Sequence, residues 1–441
     1  MVDSDEPRYI TATGIAQATT AITFTANAGR VYVAGTAIGS SIGASLNGND
    51  QLVITATGQV SGLDSDGAEG IRAAGSGNRI TVAGSVYARD GGIFALTGSN
   101  DTEINITATG TVVGGSNGYG SDSGGFSAAV ASSGTGNVLV NDGVIIGEFN
   151  PDNGLRLAVL NASVADQEPT GSNLDLDATF SVFNSGSIHG DVLLGAGEDV
   201  YKAAGGGFVN GLIDLGDGDD IFSGGAADEV VEAGGGADNM LGGGGDDRLL
   251  GDGGNDFMRG GSGSDTLAGG ADDDAIRGED GEDVLNGNDG DDSLFGGNDE
   301  DRLNGGGGND ALRGDGGADR LIGGSGEDNL FGGAGCDRLV GGDDADRLEG
   351  EAGDDVLIGQ DGSDRFFFGG NFGDDRISDF DDANSEKIIL VDVDSISNFS
   401  DLANNHLSSV GGNAVIDDGA GNTITLMGFA AADLDAGDFL F

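Results

Sequence analysis

From Asp238 to Asp364 an aspartate returns at every ninth position without a slip, and no other feature of the 441-residue chain restricts its fold so strongly. The series is Asp238, Asp247, Asp256, Asp265, Asp274, Asp283, Asp292, Asp301, Asp310, Asp319, Asp328, Asp337, Asp346, Asp355 and Asp364. Two residues after each stands an apolar side chain, from Met240 and Leu249 to Leu357 and Phe366. Five residues before each stands glycine, with Ala233 the one exception. An acidic disordered linker has no reason to keep apolar residues at this spacing, so the pattern is structural.

Stretches of Gly, Asp, Asn and Ser between the apolar positions form neither helix nor buried strand. They predict loops in which glycine supplies positive φ. The three residues after each loop predict a short strand with only its middle side chain inward. One apolar residue in nine makes no core alone, whereas stacked turns bury a continuous file of them, as in a solenoid. Two nonapeptides then make one flattened coil, so that Asp247 stacks on Asp265 and Asp256 on Asp274. Carboxylates stacked this closely repel one another unless a cation lies between them. Hard oxygen donors in glycine-rich loops, with no thiolate or imidazole ligand set, suit Ca2+ and not zinc.

The unit resembles the RTX (repeats-in-toxin, hemolysin-type) calcium-binding β-roll, whose repeat reads G-G-x-G-x-D-x-U-x. Gly305–Leu312 and Gly323–Leu330 match it most clearly. The resemblance implies calcium ions held by the repeat aspartates and secretion through a type I exporter. Departures fall at the fourth position, which is Asp272, Asp299 and Asp344 in three repeats, and at the second, as at Asp252, Glu279, Asn288 and Glu351. Aspartate tolerates the left-handed backbone better than most residues, so the loops are expected to survive these changes.

Charge narrows the partners. The chain carries a formal charge of −58 and has a pI near 4.1. Residues 233–367 alone hold 34 Asp and Glu against 9 Arg, a net of −25. Such a surface does not bind nucleic acid or anionic membrane by electrostatics; it attracts cations. No stretch has the length of a transmembrane helix. The single thiol, Cys336, forms no internal disulfide and falls in a loop position. The acidic start, Met1–Arg8, has neither a basic nor an apolar leader region, so an export address is expected elsewhere.

Residues 1–190 carry a second, looser repeat. Ile-Thr-Ala-Thr-Gly occurs at Ile10–Gly14, Ile54–Gly58 and Ile106–Gly110, with relatives at Val31–Gly35, Ile80–Gly84 and Leu139–Gly143. Each is read as a strand closed by a glycine turn. Second strands follow, as at Ser85–Ala88 and Thr111–Val113, and third strands at Gly70–Ala74 and Gly92–Leu96. Three strands in each coil of roughly two dozen residues predict a right-handed parallel β-helix, similar to bacterial autotransporter passengers. Between Phe149 and Thr179 the rhythm fades, which predicts a loop or insertion.

The predicted fold is therefore all-β: a parallel β-helix over 1–190, transitional coils over 191–232, a β-roll over 233–367, and a small β cap with the secretion signal over 368–441. In the transition, Gly190–Tyr201 recurs as Gly211–Phe222, each copy a strand followed by an RTX-like loop. Asp199 and Asp220 thus join the metal candidates, and the two solenoids are expected to share one axis. Spacing is irregular between Asp220 and Asp238, with Asp228 as the intermediate acid. In the cap, strands are expected at Gly373–Phe380 and Lys387–Val391, a helix at Phe399–Leu407, and a hairpin of Ala414–Ile416 with Asn422–Met427. The ending, Asp433–Phe441, is similar to the uncleaved signal of type I secretion substrates.

The chain offers little for catalysis. Its two histidines, His189 and His406, exclude an H-E-x-x-H protease, and no G-x-S-x-G elbow is evident. A polysaccharide lyase or epimerase built as a β-helix with an RTX folding domain is the alternative. Its best cluster is Asp64 and Asp90 with Asp66, Tyr87 and Arg89, which read more simply as turn residues. Tyr32, Tyr87 and Tyr119 likewise read as surface or core. The expectation is a non-enzymatic, secreted calcium-binding solenoid in a surface-structural or adhesive role, extracellular or attached to the cell surface. An extracellular or cell-surface polysaccharide is the ligand expected for the N-terminal coils.

Overall fold

Alternating apolar residues in the N-terminal coils form short strands that lie in register on the strands of the next coil. In the computed structural model residues 8–10, 20–23, 30–39, 42–62, 69–88, 91–95, 100–114, 129–132, 136–147, 157–161, 179–381, 385–393 and 395–441 are described. They divide into two units, Met1–Asn239 and Met240–Phe441.

In the first unit each coil supplies three strands. Gln51–Ile54, Gln59–Gly62 and Glu69–Ala74 are one set. They pair in parallel with Arg79–Val82, Ser85–Ala88 and Gly91–Ala95 of the following coil. The register sets like on like: Leu52 lies beside Ile80, Ile80 beside Ile104, and Ile104 beside Leu139. Val60, Val86 and Val112 make a second inward file, and Ile71 and Ile93 part of a third; all are fully buried. This is the expected parallel β-helix, and the second and third strands fall within a residue or two of their expected places.

The repeated pentapeptide is different. The first strand ends at Ile54, or at Ile106 a little later, and Thr-Ala-Thr-Gly is the corner that follows. Hydrogen bonding is the reason. Thr55 and Thr57 donate their hydroxyls to the carbonyls of Val33 and Ala34, at 3.2 and 3.0 Å. Thr109 does the same to Ala83 at 2.8 Å. Inside Phe149–Thr179 the described part is a strand, Leu157–Asn161, which pairs with Val130–Ser132 and Asp191–Leu193 and so belongs to a coil.

In the second unit the nonapeptides stack with a register of eighteen residues, two to a coil. Arg302 lies beside Arg320, Leu303 beside Leu321 and Gly306 beside Gly324. The ladder covers six residues of each nonapeptide, as in Arg302–Gly307, and not the three expected. Its backbone pairing continues into the loop, through glycine, as at Gly306 beside Gly324, and through the residues that replace it, as at Glu279 beside Gly297. Two files of apolar residues fill the interior: Ile276, Leu294, Leu312, Leu330, Leu348 and Phe366 on one side, and Leu267, Leu285, Leu303, Leu321, Leu339 and Leu357 on the other. Every one is at most 1% exposed.

Beyond the repeats Asp374–Ile377 and Lys387–Val391 extend the two ladders. A three-stranded antiparallel meander closes the end: Leu407–Val410, Asn413–Asp417 and Thr423–Leu426. Thr423–Leu426 also pairs in parallel with Asp374–Ile377. The expected helix is one α turn, Phe399–Asp401, continued as a π turn, Leu402–His406. The final strand, Phe439–Leu440, pairs with Lys387–Val391 and buries Phe439.

Candidate metal centre

Each repeat aspartate stands two residues before an inward apolar side chain, so strand alternation turns its carboxylate inward as well. All fifteen from Asp238 to Asp364 are at most 3% exposed. One oxygen has a fixed task. Oδ1 of Asp301 accepts the backbone N–H of Asp283 at 2.9 Å, and Oδ1 of Asp319 that of Asp301 at 2.8 Å. On the other edge Oδ1 of Asp310 accepts from Asp292, and Oδ1 of Asp328 from Asp310, at 2.8 and 2.7 Å. The side chain of each coil thus ties down the backbone of the coil before it.

The second oxygen is different. From Asp265 to Asp364 every Oδ2 is buried and accepts no hydrogen bond. An ionised carboxylate can accept about four hydrogen bonds, and leaving a buried oxygen unsatisfied costs roughly 1–3 kcal/mol or more. The glycine five residues earlier explains its own recurrence here. A Cβ added at Gly305 would collide with Oδ2 of Asp310 and lie 2.7 Å from the carbonyl of Gly323. Glycine leaves open a cradle that carboxylate and carbonyl oxygens border.

Electrostatics press the same way. Asp301 and Asp346 are pushed up to about 8, first by burial, against the backbone hydrogen bonds that lower them, and then by neighbouring carboxylates. Asp283, Asp328 and Asp337 reach about 7 for the same reasons. Arginines do not relieve them. Arg347 pairs with Glu349 at 2.6 Å and lies 3.8 Å from the centre of the Phe367 ring, and Arg313 pairs with Glu351 at 3.2 Å. A compensating charge has to come from solution. Among the described residues no three Asp, Glu, His or Cys side chains converge as one metal cluster. An ion here would need backbone carbonyls to complete its shell, a mixed oxygen set that suits calcium.

In the first unit Asn78 fills the corresponding corner with its own hydrogen bonds. Oδ1 of Asn78 accepts the N–H of Gly48 and Asp50, at 3.0 and 3.3 Å. Its amide nitrogen donates to the carbonyls of Ala74 and Gly75, at 3.0 and 2.7 Å. Asn137 takes the N–H of Thr102 in the same manner, at 2.8 Å. Where a carboxylate presents a second bare oxygen, Asn78 presents a donor to the loop.

Asp199 and Asp220 occupy this corner. Oδ1 of Asp199 accepts from Phe180, Oδ1 of Asp220 from Asp199, and Oδ1 of Asp238 from Asp220, at 2.5, 2.6 and 2.7 Å. Burial first, then coulombic repulsion, raises Asp199 to about 8 and Asp220 to about 7. At the irregular step Asp228 is exposed, and Glu229 is the acid that turns inward.

Two further acids were not singled out from the sequence. Asp375 continues one edge: its Oδ1 accepts from Asp355 at 2.9 Å and its Oδ2 is buried without a hydrogen bond. Glu386 follows Asp364 on the other, fully buried. The apolar residue two positions on, Ile377 and Ile388, was the available signal; spacings of 20 and 22 residues hid it.

Tyr87 is 38% exposed on the outer face of its strand, and Cys336 is an exposed free thiol. Asp64, Asp66, Arg89, Asp90 and Tyr119 lie outside the described residues. Asp252, Glu279, Asn288 and Glu351, and Asp272, Asp299 and Asp344, all adopt positive φ, between 68° and 86°, so the loop keeps its path through each departure.

The geometry defines a class: a parallel β-solenoid whose edges present stacked carboxylates for divalent cations. Residues 205–377 belong to the RTX calcium-binding nonapeptide repeats, matching that family in overlapping windows from 205–240 to 340–377. These repeats bind calcium. No curated protein matches the sequence. Among solved structures, extracellular lipase LipA from Serratia marcescens is 20% identical over 41% of this chain and 40% of its own, with a TM-score of 0.23. Less than half of either chain is matched, and a likeness this slight carries no argument about activity. Among the described residues no helix is long and apolar enough to cross a membrane.

Proposed function

We propose that the chain is a secreted RTX solenoid whose repeats fold when they meet extracellular calcium, and that it serves a surface-structural or adhesive role, not a catalytic one. The observation that carries the reading is the file of buried Oδ2 atoms without a hydrogen bond, set in a segment of net charge −25. Two narrow apolar files do not overcome that self-repulsion without cations. The proposed ligands are Asp199, Asp220 and the fifteen repeat aspartates from Asp238 to Asp364, each with loop carbonyls. Ions bridging loops one coil apart would number about thirteen over the regular repeats, supplying close to the charge required.

Calcium supplies the positive charge that lets the carboxylates stack; its binding energy then becomes folding energy. Affinities near 10⁻⁴–10⁻³ M, the range of extracellular calcium modules, would leave the repeats open in the cytosol and fold them outside. A type I exporter, which passes unfolded chains, fits such a device, and the segment from about Phe366 onward is the proposed address. The test is a calcium titration followed by circular dichroism. Strand signal that rises with calcium supports the reading, and a signal untouched by chelator overturns it. Export of a reporter fused to the C-terminal segment tests the address separately. Screening the N-terminal coils against polysaccharides, with product analysis, separates retention by an adhesin from turnover by a lyase or epimerase.

A further inference from the structure

The carboxylate file continues past the last nonapeptide. Arg365–Gly369 pairs in parallel with Lys387–Val391, with Arg365 beside Lys387 and Phe366 beside Ile388. Glu386, just before Lys387, therefore holds in its coil the place that Asp364 holds in the coil before. Backbone bonding repeats the relation: Lys387 donates its N–H to the carbonyl of Asp364 at 2.8 Å, as Arg365 does to that of Asp346.

Glu386 is fully buried. Its Oε2 accepts the N–H of Asp381 at 2.7 Å, while Oε1 is buried without a hydrogen bond. Asp364 offers an Oδ2 in the same condition. Asp364, Asp379 and Asp381 all add negative potential at Glu386, which burial has already made reluctant to ionise. The nearby ammonium of Lys387 bonds the Glu386 carbonyl at 3.0 Å instead of the carboxylate. Two stacked, buried acids with a bare oxygen each continue the file, but Glu386 takes an N–H of its own loop, that of Asp381, where each repeat aspartate takes one from the coil before.

We propose that Glu386 and Asp364 bind a divalent cation where the array meets its cap, a calcium site that takes one of its ligands, Glu386, from outside both the nonapeptide series and residues 205–377. The proposal rests on the calcium reading of the array. An ion at this point fastens Lys387–Val391, the strand on which the final strand Phe439–Leu440 is laid.

Glu386→Gln in the full chain keeps the shape and removes the charge. The readouts are bound calcium after dialysis against calcium alone, and hydrogen exchange at Lys387–Val391 with calcium and with chelator. The expected result is one calcium fewer per chain and about tenfold faster exchange of that strand in calcium, the effect of one lost charged contact. In chelator the variant is expected to be no less protected than the parent. An unchanged ion count, or a protection change of the same sign in both conditions, overturns the site and marks Glu386 as a protonated structural acid. Should Glu386→Gln fail to fold, Glu386→Asp keeps a carboxylate: a higher calcium midpoint at Lys387–Val391 supports the site, and an unchanged one overturns it. If chelator leaves Arg302–Gly307 protected, the calcium-folding reading fails, while the ion count still decides the terminal site.

Discussion

The side-chain amide of Asn78 donates to the carbonyl of Gly75 at 2.7 Å, placing a hydrogen-bond donor at the corner where the repeat aspartates present a bare oxygen. On the calcium reading proposed above, Asn78 supplies by itself the charge-free closure that a repeat aspartate gains from a cation.

Asp301→Asn and Asp301→Ala are therefore expected to act in opposite directions in chelator. Asn keeps the bond from the Asp283 N–H and adds a donor for the loop, so the metal-free repeats gain strand signal. Ala strands that buried N–H and costs about 1–3 kcal/mol. Calcium titrations followed by circular dichroism check both, with a raised midpoint and reduced cooperativity expected for Asp301→Ala, and more so for Asp301→Ala with Asp310→Ala. Equal behaviour of Asn and Ala would show that the amide has no such role.

Acid is expected to replace part of the calcium. Burial raises Asp301 to about 8 and Asp310 and Asp319 to about 6 in the folded chain. Their unfolded values lie near 3.9, so the folded state holds more protons. That stabilisation is complete below the unfolded value and is lost as pH rises through about 6 to 8. In chelator, strand signal should grow as pH falls from about 8 to about 5. In limiting calcium the same change should raise the calcium midpoint, because protons compete for the ligand oxygens. A chelated chain with no pH response across this interval contradicts the assignment.

Gly305→Ala tests the cradle. The new methyl group would collide with Oδ2 of Asp310 and press on the carbonyl of Gly323. A loss of about 3 kcal/mol or more is expected from overpacking at a close backbone approach. The calcium midpoint should rise, whereas Gly316→Ala, whose Cβ meets nothing nearer than 3.8 Å, should change it little. Equal effects would remove the special standing of the first glycine.

Hydrogen exchange on the full chain in chelator should separate the two kinds of coil. Arg79–Val82 and Glu103–Ile106, with neutral Asn78 and Thr102 at their corners, are expected to stay protected. Arg302–Gly307 should exchange freely until calcium is added. Loss of protection in both at one calcium concentration would mean that the N-terminal coils require the array to fold.

The solenoid, its eighteen-residue register and the chemistry of its ligand are legible in the order of residues, because all three follow from local rules. Alternation turns Asp310 and Leu312 inward together, a fixed period stacks like on like, and oxygen donors select the class of ion. The fold decided how a carboxylate divides its work, since Oδ1 of Asp310 meets an N–H eighteen residues away and its Oδ2 meets none. It also decided that Thr55 and Thr57 make a corner and not a strand, because their partners, Val33 and Ala34, belong to the coil before. Asp375 and Glu386 continue the two edges for a related reason: loops of unequal length break the period along the chain, while the parallel ladders restore the register in space.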